Sequence, residues 1–276
     1  GHRRSYSVNK EQIPSNFLYQ DMAYLISKLN PKIFLFENVR GLLSSRWKSN
    51  GEKGEIWNDV FETFSNLKNY QISWKLVKAK DYGVPQNRPR VLLVGIRNDI
   101  RLNHNISNTA DGFLPDPSGN PPDPIDILSD LIDPNYKQIE SNTKYLKDPR
   151  SDYQKYLRTK NNNILKKGFE LTEQEYSKHS EKIINKFQYM IDNNGKIPEN
   201  MKTKKFSQRL IPKKWDENGP NITATSLPDD YVHYSQPRIL TVREWARLQM
   251  FPDWYKFAGK RTTGGSRRAG NPRDNN

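Results

Sequence analysis

With 276 residues, 34% of them hydrophobic, and a mean hydropathy of −0.96, the chain suits one large domain, or a core domain carrying a smaller insert, but is too polar for a uniform globule. Forty-five Lys and Arg against 31 Asp and Glu leave a formal net charge of +14, which favours a polyanionic partner: nucleic acid first, an anionic membrane surface second. No run of 18 apolar residues is present, which excludes a bilayer-spanning helix, and the absence of cysteine excludes disulfides, cysteine-ligated zinc and a thiolate nucleophile from this sequence.

The first residues, GHRRSYSVNK, have neither an initiating Met nor an apolar h-region, so they are not a signal peptide and fit an internal start. Ser15 is placed to cap a helix with Phe17, Leu18, Met22, Leu25, Ile26 and Leu29 on one side, ended by Asn30-Pro31. Residues 33–36 predict a buried strand that runs straight into Glu37 and Asn38. Ile56, Val60, Phe61, Phe64 and Leu67 have helical spacing. QISWKLVKA and RVLLVGIR then predict two strands joined by KDYGVPQNRP, a loop rich in breakers and short enough to make them antiparallel neighbours. This order predicts an α/β layer fold with ligands at strand ends.

Beyond residue 97 the texture changes. GFLPDPSGNPPDP, RTKNNN and DNNGK are breaker-rich, with one helix predicted between them over residues 172–192. Residues 201–215, MKTKKFSQRLIPKKW, hold Lys202, Lys204, Lys205, Arg209, Lys213 and Lys214 with no acid, beside Phe206 and Trp215. That run is either a solvated face or a DNA-phosphate contact. Order returns in PRILTVREWARLQMFPDWYK, where Thr241 and Glu244 have capping-box spacing. Domain limits follow: 1–97, 98–236 and 237–276.

Three motifs point to chemistry. Glu37-Asn38 ends an apolar strand, so its carboxyl is expected to be partly desolvated and ready to donate to a ring nitrogen; capping the next turn is the simpler alternative. Gln86, Arg88 and Arg90 alternate, so an extended segment would point all three toward one site, unless they are an edge-strand charge pattern. Arg243 and Glu244 lie on a well-capped helix, where a buried or half-buried ion-pair network is their expected role.

FENVRG, then YGVPQNRPRVLLVGIR, then a long variable segment, then RILTVREWARLQMFPDWYKFAG, in that order, closely resemble the DNA (cytosine-5) methyltransferases. The resemblance covers residues 1–97 and 237–260 well and the segment between by position. It implies part of a Rossmann-like, S-adenosylmethionine-dependent α/β fold with an irregular target-recognition region inserted over 98–236. It also implies that Glu37 binds a flipped cytosine at N3 and its amino group, and that Arg90, with Arg88 beside it, meets the 2-oxo group. Asn38 and Gln86 would support that pocket, and the late helix with Arg243 and Glu244 would support the recognition region.

The family's Pro-Cys nucleophile loop, its Gly-rich cofactor loop and its closing Gly-Asn-Ala-Val-Pro segment have no counterpart in the sequence. The expectation is therefore a fragment or one subunit of a split enzyme, inactive by itself, with most of the S-adenosylmethionine site elsewhere. Double-stranded DNA is the expected partner, with a second subunit as a further one, and neither a membrane nor a metal is expected. The resemblance implies a bacterial restriction–modification system in the cytoplasm, acting at the nucleoid. A DNA-binding module without chemistry is the alternative.

Overall fold

The computed structural model describes residues 10–106, 112–202, 208–215 and 231–258. The chain divides into two compact units, Gly1–Lys78 with Pro89–Ser118, and Ala79–Arg88 with Gly119–Asn276.

The first unit is a three-stranded antiparallel sheet, β1 (Ile33–Val39), β3 (Pro89–Arg97) and β2 (Tyr70–Lys78), in the order β1-β3-β2. The expected antiparallel pairing of β2 with β3 is present from Tyr70↔Arg97 to Lys78↔Pro89. Alternation along each strand separates two faces. Phe34 and Phe36 pack on Phe64 of α2 (Glu55–Ser65), while Trp74 of β2 meets Trp57 of the same helix. Gly95 of β3 lies beneath the Phe34 ring, where a Cβ would collide with it. Val91 and Leu93, on that face of the central strand, are fully buried.

Two expectations about this unit need correction. α1 spans Leu18–Leu29, led by a 3-10 turn over Pro14–Phe17, and Ser15 is not its cap. Its buried side is Tyr19, Ala23 and Ile26, whereas Leu18, Leu25 and Leu29 are exposed, Leu29 by 76%. Apolar spacing marked an amphipathic helix but not which part of its wide stripe would find a partner. Asn30 does end it, in the left-handed conformation (φ 46°), its N–H donating to the Ile26 carbonyl. Likewise β1 is not buried on both faces. It pairs on one side only, and Ile33, Leu35 and Val39 are exposed.

Apart from one 12-residue helix, the second unit has short elements. α3 (Asn98–Asn103) still belongs to the sheet unit; then come α4 (Pro124–Leu128), α5 (Asp152–Leu157), the hairpin β4–β5 (Thr159–Lys160, Asn163–Ile164) and α6 (Glu181–Asp192). β6 (Arg209–Leu210) pairs in parallel with β7 (Tyr231–Val232) before α7 (Val242–Arg247). The helix expected over 172–192 begins only at Glu181. Residues before it follow an irregular path, with Glu173 at φ 65° and Ser141 bridged to Glu175. α7 starts with the expected capping box: Thr241 accepts from the Glu244 N–H, and Glu244 accepts from the Thr241 N–H. Ile127, Leu128, Leu157, Tyr231, Tyr234, Leu240, Trp245 and Leu248 form its main apolar cluster.

Candidate functional site

Register brings Glu37 and Arg90 together. Glu37 stands opposite Leu92 and Val39 opposite Arg90, so Glu37 and Arg90 are diagonal neighbours on one face of the β1–β3 pair. Their side chains form an ion pair, Arg90 Nε to Glu37 Oε1, at 2.6 Å. Arg90 also donates to the Pro89 carbonyl at 2.9 Å. The Glu37 side chain is 53% exposed, so the desolvation expected of it is not met in this chain: β1 is an edge strand, and nothing among the described residues covers that end of the sheet. Asn38, on the opposite face, accepts from the Val39 N–H at 2.9 Å and holds the turn-side backbone.

The row Gln86, Arg88, Arg90 is not continuous. β3 begins at Pro89, and residues 79–88 fold as a closed loop, with the Ala79 N–H donating to the Arg88 carbonyl and the Gln86 N–H to the Val84 carbonyl. Gly83 at φ 75° and two prolines, Pro85 and Pro89, break the extension that a period of two requires. Gln86 is buried at 4% exposure, and its Oε1, like Asn87 Oδ1, has no hydrogen-bond partner among the described residues. Buried acceptors left this way are uncommon. Arg88 is half-buried.

From the basic run, Lys202, Arg209, Lys213 and Lys214 are exposed; Lys204 and Lys205 lie outside the described residues. Lys202 is ion-paired with Glu199, and the Arg209 guanidinium lies 4.7 Å from the centre of the Tyr231 ring. Lys213 and Lys214 have no ion-pair partner among the described residues and lie beside Trp215, whose backbone N–H donates to Asp123.

Arg243 and Glu244 belong to a buried charge network. Glu244 receives both Arg238 terminal nitrogens, at 2.6 and 2.8 Å. Burial alone would raise its pKa, but Arg238 and the Thr241 N–H hold it down at about 2. Arg243 donates to Thr172 and to the carbonyls of Pro252 and Tyr255. Neighbouring Arg247 bridges Asp130 and Asp253, each at 2.5 Å, and Arg158 reaches Asp130 from the other side. His233, wholly buried beside Arg238, has its pKa pushed down to about 3 by burial and that positive neighbour. Arg158, Arg238, Arg247, Asp130, Asp253 and His233 went unread in the sequence. The one available signal was the four-residue spacing of Arg243 and Arg247, which stacks both on one helix face.

Among the described residues, no group of three or more His, Asp or Glu side chains could hold a metal ion, and no helix is long and apolar enough to cross a membrane. A cavity of about 560 Å³ in the sheet unit is lined by Glu11, Asp59 and Glu62 around Phe17, Tyr19 and Trp47.

The family model for C-5 cytosine-specific DNA methylase matches residues 6–272. The type II methyltransferase M.DdeI of Desulfomicrobium norvegicum is 29% identical over 94% of this chain and 62% of its own length. M.Bpa9945I of Bacillus paralicheniformis is 29% identical over 94% of this chain and 61% of its own, and M.BsuRI of Bacillus subtilis is 37% identical over 35% of this chain and 21% of its own. The chain thus spans about three fifths of the length of the relatives it matches along most of its own. Among solved structures, an E. coli prophage-encoded DNA modification methyltransferase is similar at a TM-score of 0.60 and 23% identity, covering 88% of this chain and 65% of that one. That likeness shows a methyltransferase α/β fold.

Proposed function

The chain belongs to the C-5 cytosine-specific DNA methylases, and from that premise we propose that it supplies the base-holding and sequence-reading part of an enzyme that methylates carbon 5 of cytosine in double-stranded DNA. The observation that carries this is the Glu37–Arg90 pair, two residues 53 apart in sequence joined at 2.6 Å at the end of an apolar strand. Cytosine carbon 6 is a poor electrophile until N3 is protonated or strongly hydrogen-bonded. In this reading Arg90 turns from Glu37 to the 2-oxo group, and Glu37, then protonated from solvent, gives its proton to N3 and accepts from the exocyclic amine. The base must first leave the helical stack to reach them. In this reading residues 98–236 carry target recognition, and Lys202, Lys204, Lys205, Arg209, Lys213 and Lys214 contact phosphates. Arg243 and Glu244 hold the recognition region in place.

The methyl donor of this reaction class is S-adenosylmethionine, and in this reading its site lies mostly outside this chain. No step is therefore assigned through it. The nucleophile is equally foreign to this chain, which has no cysteine. That observation favours a fragment or a split enzyme, in which a further segment or a second subunit brings the thiolate and the donor site. It also keeps open the reading as a DNA-binding module alone. The relatives' names, type II methyltransferases of bacteria, support a restriction–modification role; action at the nucleoid of a bacterial cytoplasm is part of the same proposal.

The test is methyl transfer from labelled S-adenosylmethionine to duplex DNA. The chain alone should give no incorporation above background, and adding the N-terminal part of a relative should produce it. Incorporation by the chain alone would overturn the division of labour.

A further inference from the structure

The β4–β5 hairpin resembles a reading device more than a structural connection. Thr159 pairs with Ile164 and Lys160 with Asn163, leaving Asn161 and Asn162 as a two-residue turn, both at positive φ (49° and 62°). Those angles are the signature of a primed turn, whose favoured pair is Asn-Gly because the second position suits glycine. Here that second position carries an amide side chain instead. Lys160, Asn161, Asn162 and Asn163 are all exposed, and the side chains of the first three make no hydrogen bond among the described residues.

Two-residue strands cannot hold such a tip in place by themselves. The root does so. Arg158, fully buried, sits 3.7 Å over the Tyr145 ring and donates to the Leu165 carbonyl across the hairpin base at 2.6 Å. It also donates to Asp130 and to the Lys147 carbonyl, and the Leu165 N–H returns a bond to the Arg158 carbonyl. A fixed root beneath a polar, unpartnered tip is what precise contact with another molecule needs. Exposed Lys166 and Lys167 follow just beyond the end of the return strand.

We propose that this hairpin enters the DNA major groove and reads an adenine-containing base pair through Asn161 and Asn162, with Lys160, Lys166 and Lys167 on the phosphates. The inference rests on the DNA-reading function proposed above. A two-stranded ribbon fits the major groove, and the Asn amide matches adenine N6 and N7 with one donor and one acceptor.

The test selects this chain against a randomised duplex DNA library, beside Asn161→Gly/Asn162→Gly and Asn162→Asp. Glycine keeps the turn angles and removes both amides; aspartate keeps the shape and loses the donor. Wild type should enrich a motif with a required A·T pair. The double glycine variant should lose that preference tenfold or more at this position, with unchanged affinity for random duplex and an unchanged salt slope. Asn162→Asp should shift the preference toward cytosine, whose amine a carboxylate accepts. If both variants enrich the wild-type motif equally, or if both weaken all sequences alike, the hairpin reading falls while DNA reading by the chain stands. If wild type enriches no motif, DNA reading falls and the hairpin proposal with it.

Discussion

In the sheet unit the buried side chains are aromatic and aliphatic, with Phe34, Phe64, Val91 and Leu93 at the centre. In the second unit the four largest fully buried side chains are arginines, Arg158, Arg238, Arg243 and Arg247. The sheet unit also leaves apolar surface open, along Leu18, Leu25 and Leu29 of α1 and Ile33, Leu35 and Val39 of β1. An apolar core accepts many packings of similar volume, whereas a buried guanidinium tolerates only the geometry that satisfies its charge and its donors. The difference fits two tasks. Short, irregular elements that must present side chains at fixed positions gain uniqueness from charge pairing, because they have too little regular backbone to supply it. The sheet is already fixed by its ladders, and its partly exposed Glu37–Arg90 pair is held where a ligand can reach it.

The largest effect that would break this contrast is at Arg247. Replacing it with Leu leaves Asp130 and Asp253 buried with much of their compensation gone, and should cost about 3–5 kcal/mol. Urea unfolding followed by probes in each unit should show the loss in the second unit's transition and leave the sheet unit's midpoint in place. A loss below about 1 kcal/mol would mean that the network is not what orders the second unit.

Acid should separate the units next, by a smaller amount. His233 is held neutral with a folded pKa of about 3, below its usual 6.5, so its contribution is complete above pH 6.5 and declines as pH falls toward 3. Glu244, held at about 2 against 4.5, adds the same direction of loss below pH 4.5. Between pH 7.5 and 5 the histidine alone should remove about 2 kcal/mol from the second unit. His233→Asn, whose amide oxygen can accept the Ser235 and Gln236 N–H groups in place of Nδ1, should flatten that slope. An equal slope in the variant would assign the acid sensitivity elsewhere.

How much of this was legible depended on the range of the interaction. The antiparallel β2–β3 pair and the Thr241–Glu244 box could be read because a short loop and a three-residue spacing determine them locally. The meeting of Glu37 with Arg90 was expected from the family's motif order rather than from spacing, since register between distant strands has no local signature. Arg238, Arg247, Asp130 and Asp253 were missed because charged residues in a polar, basic sequence look like surface until their partners, up to 117 residues away, fold against them. Exposure of Leu29 and Leu35 was missed for the opposite reason: apolar periodicity states that a face needs cover without stating that this chain provides it.

Glu37 tests the account most directly, and its effect on stability should be the smallest of all. The pair is half exposed, so Glu37→Gln should change stability by less than about 1 kcal/mol. In an enzyme completed with the nucleophile-bearing part, single-turnover methylation and DNA affinity would be measured on this variant beside wild type. Gln keeps the size, one acceptor and an N–H that can hydrogen-bond N3 but cannot transfer a proton to it, so methyl transfer should fall by about 10²–10⁴-fold while DNA affinity changes only a few-fold. Methylation within a few-fold of wild type would contradict the account and leave Glu37 a strand-end residue that only pairs with Arg90.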